Sequence, residues 1–392
     1  MPYLTSPAVY KRTQLSFTLS ILIVLLFAFM LWSCNNGTDS TTAANNDSAK
    51  DKKMATSQAN PTTLKPSGPK PSWGPNLTDP IAVVIEKLGS YNAPPLPSLL
   101  AQEARKQPSP ADAAMAVMQE HNIPEPPNNV DTTGKDIPVQ GGKIHLRIYT
   151  PNTGKNAYPV IVYYHGGGWV IADLNTYNAS AQGLANAAEA VVVSVAYRQA
   201  PEHKFPTAHN DSYAAYQWTL KNAASIKGDP KHIALMGESA GGNLAAAVSM
   251  MARDGGVQLP IHEVLVYPIA GYDFTTESYK QSDSTKPLST GLMQWFFKNY
   301  LNSPADGKNP TISLVNANLK GMPPTTIIGA EYDPLRSEGQ LLSDKLKAAG
   351  VSTTYQLYKG VTHEFFGMAA VVPEAKQAQA LAVDELKKAF SK

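Results

Sequence analysis

The chain has 392 residues, 43% of them apolar and 16% charged, with a formal net charge of +2. That length and apolar content allow one large globular domain or two ordinary ones with a sizeable core. The near-neutral balance leaves no strongly basic or acidic face, which excludes the electrostatic footprint of nucleic-acid binding.

At the N-terminus, Lys11 and Arg12 precede an apolar run from Leu15 to Trp32. This is the basic and hydrophobic pattern of an export signal. The run ends in Leu31-Trp32-Ser33-Cys34, and Cys34 is the only cysteine, so no intramolecular disulfide forms and the fold relies on its own core. These four residues resemble the lipobox of bacterial lipoproteins, although Trp32 stands where a small residue is usual. The resemblance implies a signal peptide at 1–33 and a lipidated Cys34 that anchors the protein to the membrane. Asn35 after it then implies the outer membrane of the cell envelope. An uncleaved anchor of bilayer-spanning length and a plain cleaved signal are the other readings. From 34 to 72 the composition turns to Asn, Thr, Ser, Asp, Lys, Gly and Pro; with little to bury, this reads as a disordered tether.

Between 73 and 135, apolar clusters (Ile81, Val84, Ile85, Leu88; Leu99, Leu100, Ala104; Met115, Val117, Met118) recur at helical spacing between prolines. They predict short helices that either pack on the main domain or form a lid over a site. The main domain is expected over 136–392. Lys143 to Tyr149 alternates as an edge or outer strand, and Val160 to Tyr164 is a continuous apolar run suited to a buried strand. That strand ends in His165-Gly166-Gly167-Gly168-Trp169. Helix Ala179–Ala188, strand Val191–Val195, helix Tyr213–Ala224, strand Ile233–Met236, helix Leu244–Ala252 and strand Glu263–Tyr267 follow. Such alternation predicts an α/β fold with a mostly parallel central sheet and helices on both faces.

The rhythm breaks at about 274–323. Leu292, Met293, Trp295, Phe296, Phe297, Tyr300 and Leu301 follow a cap at Ser289 or Thr290. This helix either covers the sheet or forms the second half of a cap whose apolar face lines an acyl pocket. Trp169, Trp295 and Phe296 are the candidate substrate-pocket residues. Strand Thr325–Ala330, the loop Glu331-Tyr332-Asp333-Pro334-Leu335, strand Thr353–Tyr358 and the loop Gly360 to Gly367 come next, and Pro373 opens an amphipathic last helix.

Ile233 to Asn243 reads as a strand, a Gly-x-Ser-x-Gly turn carrying Ser239, and a helix. A serine hydroxyl becomes a nucleophile when an imidazole takes its proton and a carboxylate orients that imidazole. On a doubly wound sheet the three arrive in the order serine, acid, histidine. Of the eight histidines only His363 lies after His262, which makes it the base. Asp333 is the expected acid, with Asp273 and Glu331 as alternatives. Backbone N–H groups of Gly167 and Gly168, or of Gly166 and Gly167, together with that of Ala240, would serve a developing oxyanion. No His-Glu-x-x-His occurs, and no metal site is expected.

Taken together, His165 to Gly168, Gly237 to Asn243, Tyr197-Arg198-Gln199-Ala200-Pro201-Glu202, Asp333-Pro334-Leu335 and His363 resemble the hormone-sensitive lipase-like family of α/β-hydrolase esterases, from Asp136 to the C-terminus. The resemblance implies an α/β-hydrolase fold with a helical cap. It implies Ser239, Asp333 and His363 as nucleophile, acid and base, and the glycine loop as oxyanion hole. Small-molecule carboxylic esters of short to medium chain would be the substrates, with no cofactor. Departures are Glu238 before the nucleophile, Gln199, and Glu364 where Gly is common. Glu238 is either a surface or supporting carboxylate or a group that tunes the base. Arg198 and Glu202 are expected to form a buried ion pair. Two other functions fit the same residues: a serine peptidase or amidase, and a non-catalytic binding module tethered to the envelope.

Overall fold

A computed structural model describes residues 64–392; the expected signal peptide, Cys34 and most of the tether lie outside the described residues. Strands β1 (Val130–Val139), β2 (Gly142–Pro151), β3 (Tyr158–Tyr164), β4 (Val191–Ala196), β5 (Gly228–Glu238), β6 (Glu263–Val266), β7 (Thr325–Tyr332) and β8 (Thr353–Thr362) form one sheet. Their order is β1-β2-β4-β3-β5-β6-β7-β8. Strand β2 pairs antiparallel with both its neighbours, and the other pairings are parallel.

The apolar runs are continuous because both faces of the sheet are covered. Successive residues alternate between two cores: Val160, Val162 and Tyr164 enter one, and Ile161 and Tyr163 the other. The first core is roofed by α5 (Thr207–Asn222), α6 (Ala240–Asp254) and α9 (Arg336–Ala348), the second by α4 (Asn178–Ala188) and α10 (Pro373–Phe390).

Three boundaries differ from the sequence reading. Strand β1 was not expected, and β2 is therefore internal rather than an edge. Most of β1 is exposed, so it carries no apolar alternation, and its place comes from an unbroken register with β2, from Val130 opposite Pro151 to Val139 opposite Gly142. The expected domain boundary at 135/136 thus falls inside a strand. The tether expected through Ser72 is also shorter. From Leu64, which is buried, the chain lies on α1 (Asp79–Ser90): Ser67 and Gly68 N–H groups donate to Glu86, and Lys65 and Lys70 pair with Asp79. Polar partners on α1, together with the single buried side chain of Leu64, hold this stretch.

The N-terminal helices divide their work. Helices α1 and α3 (Pro110–Glu120) insert Ile81, Val84, Ala113 and Val117 into the α4/α10 core, and Thr78 N–H donates at 2.9 Å to the carbonyl of Gly360 in the last strand. The turn Leu96–Ser98 instead touches the inserted helix α8 (Thr290–Tyr300), and the short α2 (Ala101–Ala104) joins the opposite core. Within the insertion, α7 (Glu277–Gln281) precedes α8, whose N-cap Ser289 accepts from Leu292 N–H.

Candidate active site

Ser239 stands between β5 and α6 with φ 56° and ψ −117°, a backbone conformation that an L residue holds only when its surroundings enforce it. The enforcement is visible on both sides. A Cβ at Gly237 would lie 2.1 Å from the Gly241 carbonyl oxygen, and one at Gly241 would lie 1.9 Å from that of Tyr164. Ser239 N–H donates to Val266 at 2.9 Å and so fixes the turn to β6. Ala240 begins α6, where helical geometry leaves its N–H without an intrahelical acceptor.

Strands β7 and β8 end on the same side of the parallel sheet as β5 and deliver the other two groups. Asp333 follows β7, and its Oδ2 lies 2.6 Å from Nδ1 of His363, while Oδ1 accepts from Leu335 N–H. Both side chains are buried. Burial alone would lower the His363 pKa, but the charge and hydrogen bond of Asp333, then Glu364 and Glu238, outweigh it and hold it above the usual value. The alternative acids are engaged elsewhere: Asp273 accepts from the N–H and hydroxyl of Thr275, and Glu331 accepts from Gly360 N–H.

The glycine loop after β3 is shaped by close approach. Gly167 has φ 98° and Gly168 φ 59°; a Cβ on Gly167 would strike the Ile171 carbonyl and one on Gly168 would strike the Phe296 ring at 2.2 Å. The Gly167 carbonyl turns inward to accept from Val170 and Ile171, and the N–H groups of Gly167 and Gly168 have no backbone acceptor among the described residues. Beneath the loop His165 stacks on Tyr197 with centroids 4.3 Å apart, and the Tyr197 hydroxyl donates to the His165 carbonyl. Burial takes the His165 pKa down to about 4, so this imidazole is neutral support.

Among the candidate pocket residues, Phe296 sits against Gly168 and Trp295 packs on Phe296 at 5.4 Å. Trp169 is different. It has no exposed surface and stacks on Tyr300 at 4.4 Å, so it joins loop and α8 rather than lining a pocket. A second correction concerns Arg198 and Glu202, which do not pair. Arg198 forks onto the buried Asp211, and Glu202 meets Arg105 from the N-terminal region. The long side chains reach past each other to helices that sequence proximity could not identify. Arg105 was not anticipated: its Nε donates to Val170 and its Nη2 to Ala200.

Glu238 is fully buried and accepts hydrogen bonds from the hydroxyls of Tyr163 and Tyr267. It is therefore no surface group. The Tyr267 ring lies 4.4 Å from that of His363, and Glu364 accepts from Tyr177 at 2.6 Å. The sequence signal for Glu364 was its place after the histidine, where it holds φ 68°.

With this geometry in view, residues 161–367 match a family model described as alpha/beta hydrolase fold. The chain is 38% identical over 259 residues to carboxylesterase NlhH of Mycobacterium tuberculosis, covering 65% of this chain and 79% of that one. A hyperthermophilic esterase from Pyrobaculum calidifontis superposes with a TM-score of 0.69 at 37% identity, covering 74% and 94% of the two chains. A thermostable esterase from Pseudomonas putida gives a TM-score of 0.72 at 33% identity, covering 79% and 96%.

Proposed function

The chain belongs to the hormone-sensitive lipase-like family of the α/β-hydrolase fold, and from that premise we propose that it hydrolyses small carboxylic esters through an acyl-serine intermediate, with Ser239 as nucleophile. His363 removes the Ser239 proton as the hydroxyl attacks the ester carbonyl, and Asp333 keeps the imidazole oriented and steadies its positive charge. The tetrahedral oxyanion accepts from the N–H groups of Gly167, Gly168 and Ala240. As the intermediate collapses, His363 returns the proton to the departing alcohol. Water activated by the same imidazole then releases the acid. The family resemblance argues for short- to medium-chain acyl groups, and the Phe296 ring lying on Gly168 argues for an acyl site bounded by the insertion.

The observation that carries this reading is the buried 2.6 Å contact between His363 and Asp333, delivered by β7 and β8 at the same end of the parallel sheet as the Ser239 turn after β5. The test is hydrolysis of p-nitrophenyl butyrate and labelling by a fluorophosphonate. Wild-type protein should do both, and Ser239→Ala neither, with thermal unfolding unchanged. Turnover persisting in Ser239→Ala would overturn the assignment.

For residues beyond the described ones, the sequence supports export and lipid attachment at Cys34. Radiolabelled palmitate should enter the wild type and not Cys34→Ala; equal labelling would overturn that anchor.

A further inference from the structure

Beside the imidazole of His363 lie two carboxyl groups that the acyl-serine mechanism does not use, Glu238 fully buried and Glu364 partly exposed. Glu364 Oε1 is 3.9 Å from His363 Nε2, the edge of the ring opposite Asp333. Glu238 stands in the same small cavity of about 30 Å³, which is bounded by Tyr177, Ser180, Glu364 and, from α3, Ala111. The groups facing this pair can be named element by element. β3 supplies the Tyr163 hydroxyl, the start of α4 the Tyr177 hydroxyl, the end of β6 the Tyr267 hydroxyl, and the loop after β8 His363 itself. Asp333 lies beyond the imidazole, and the neutral His165 lies 5.9 Å from Tyr177. Neither carboxyl has an arginine or lysine partner among the described residues. A fully buried and a mostly buried carboxylate in one small cavity, with hydroxyls and one imidazole but no fixed cation around them, cannot both ionise freely.

Resting on the ester-hydrolase reading above, we propose that Glu364 is a positioning residue for His363 and that Glu238 shares a proton with it. The carboxylate of Glu364 steadies the imidazolium that forms in each half-reaction, and the proton shared with Glu238 keeps the pair at a single negative charge. Tyr177 links this pair to the oxyanion loop, since its hydroxyl occupies the place where a Cβ on Gly166 would stand. Burial first, then the charge of Glu364, raises the Glu238 pKa to about 7, and burial raises that of Glu364; both directions agree with a shared proton.

The sign of the effect is distinctive. An anion at Nε2 favours protonated His363, so removing it lowers the pH at which the base becomes neutral, and the acidic limb of kcat/KM moves down. In Glu364→Gln that limb should fall by roughly one pH unit. Glu364→Gly should do the same, and it relieves the left-handed backbone at this position, so folding does not limit the result. Glu238→Gln should leave the limb in place or raise it, because the remaining charge then resides on Glu364. The experiment is the pH profile of kcat/KM for p-nitrophenyl butyrate across roughly pH 5 to 9 for the full-length wild type and these three variants. Active Glu364 variants with an unmoved limb would overturn the positioning role, and an equal downward shift in Glu238→Gln would overturn the shared proton. A wild type that does not hydrolyse the ester would overturn the parent reading as well.

Discussion

The Nε of Arg105 donates to the carbonyl of Val170 at 2.7 Å, so a side chain from the N-terminal region holds the backbone two positions beyond Gly168. The same guanidinium reaches the Ala200 carbonyl and both oxygens of Glu202. It also holds the Glu202 pKa down to about 2. A planar fork is needed to serve these acceptors together. Arg105→Ala should therefore loosen the glycine loop and lower kcat by about tenfold, in line with the sensitivity of catalysis to small misplacements. Arg105→Lys should recover little of it. Steady-state kinetics on p-nitrophenyl butyrate checks both.

Gly168 gives a sharper test of the same loop. An added Cβ would meet the Phe296 ring at 2.2 Å, and the backbone there has φ 59°. Two penalties are thus superposed, one from the ring and one from the backbone. Gly168→Ala should reduce kcat by roughly a hundredfold through a displaced donor. Adding Phe296→Ala should recover part of the loss, because it clears the ring and leaves the strained φ. Full recovery would assign the whole effect to the ring.

The acid position separates Asp333 from Asp273. Asp333→Asn keeps the shape of the 2.6 Å contact with His363 Nδ1 but loses the charge and permits the wrong imidazole tautomer. By analogy with other serine hydrolases, kcat should fall by about four orders of magnitude. Asp273 accepts from Thr275 in an exposed turn, and Asp273→Asn should leave turnover within about twofold of wild type.

Much of this was legible in the sequence for a physical reason. A strand buried on both faces must be apolar throughout, so Val160–Tyr164, Val191–Val195 and Ile233–Met236 announced themselves. The tight turn at Ser239 admits only glycine at 237 and 241, and the order of the parallel strands leaves His363 as the sole late histidine. What escaped was written in long-range pairing. Strand β1 is mostly exposed and takes its place from β2. The partner of Arg198 lies on α5, and that of Glu202 just after α2 in the N-terminal region. Trp169 was a candidate pocket residue, yet it has a positive φ of 60° and is buried in the core against Tyr300. Glu238 was visible as a departure, but the tyrosines that surround it come from two other strands and could not be read from its neighbours.

The Arg198 pairing carries the last prediction, which concerns stability rather than turnover. Asp211 is buried on α5; its Oδ2 accepts from the N–H and Nε of Arg198 at 3.0 and 2.8 Å, and Oδ1 accepts from Nη2 at 2.7 Å. Arg198 also donates to the carbonyls of Gln140 and Gly141 in the β1–β2 turn, so the pair fastens that hairpin to α5. Removing one member leaves the other charge largely out of water without its counter-ion. Asp211→Ala should cost about 3 to 5 kcal/mol. Replacing both, as in Arg198→Met with Asp211→Leu, removes the stranded charge and should cost less than the single change, although the two turn carbonyls lose their donor. Denaturant unfolding of the three proteins decides it, and a double variant less stable than Asp211→Ala would mean that the contacts to the turn, not the ion pair, dominate.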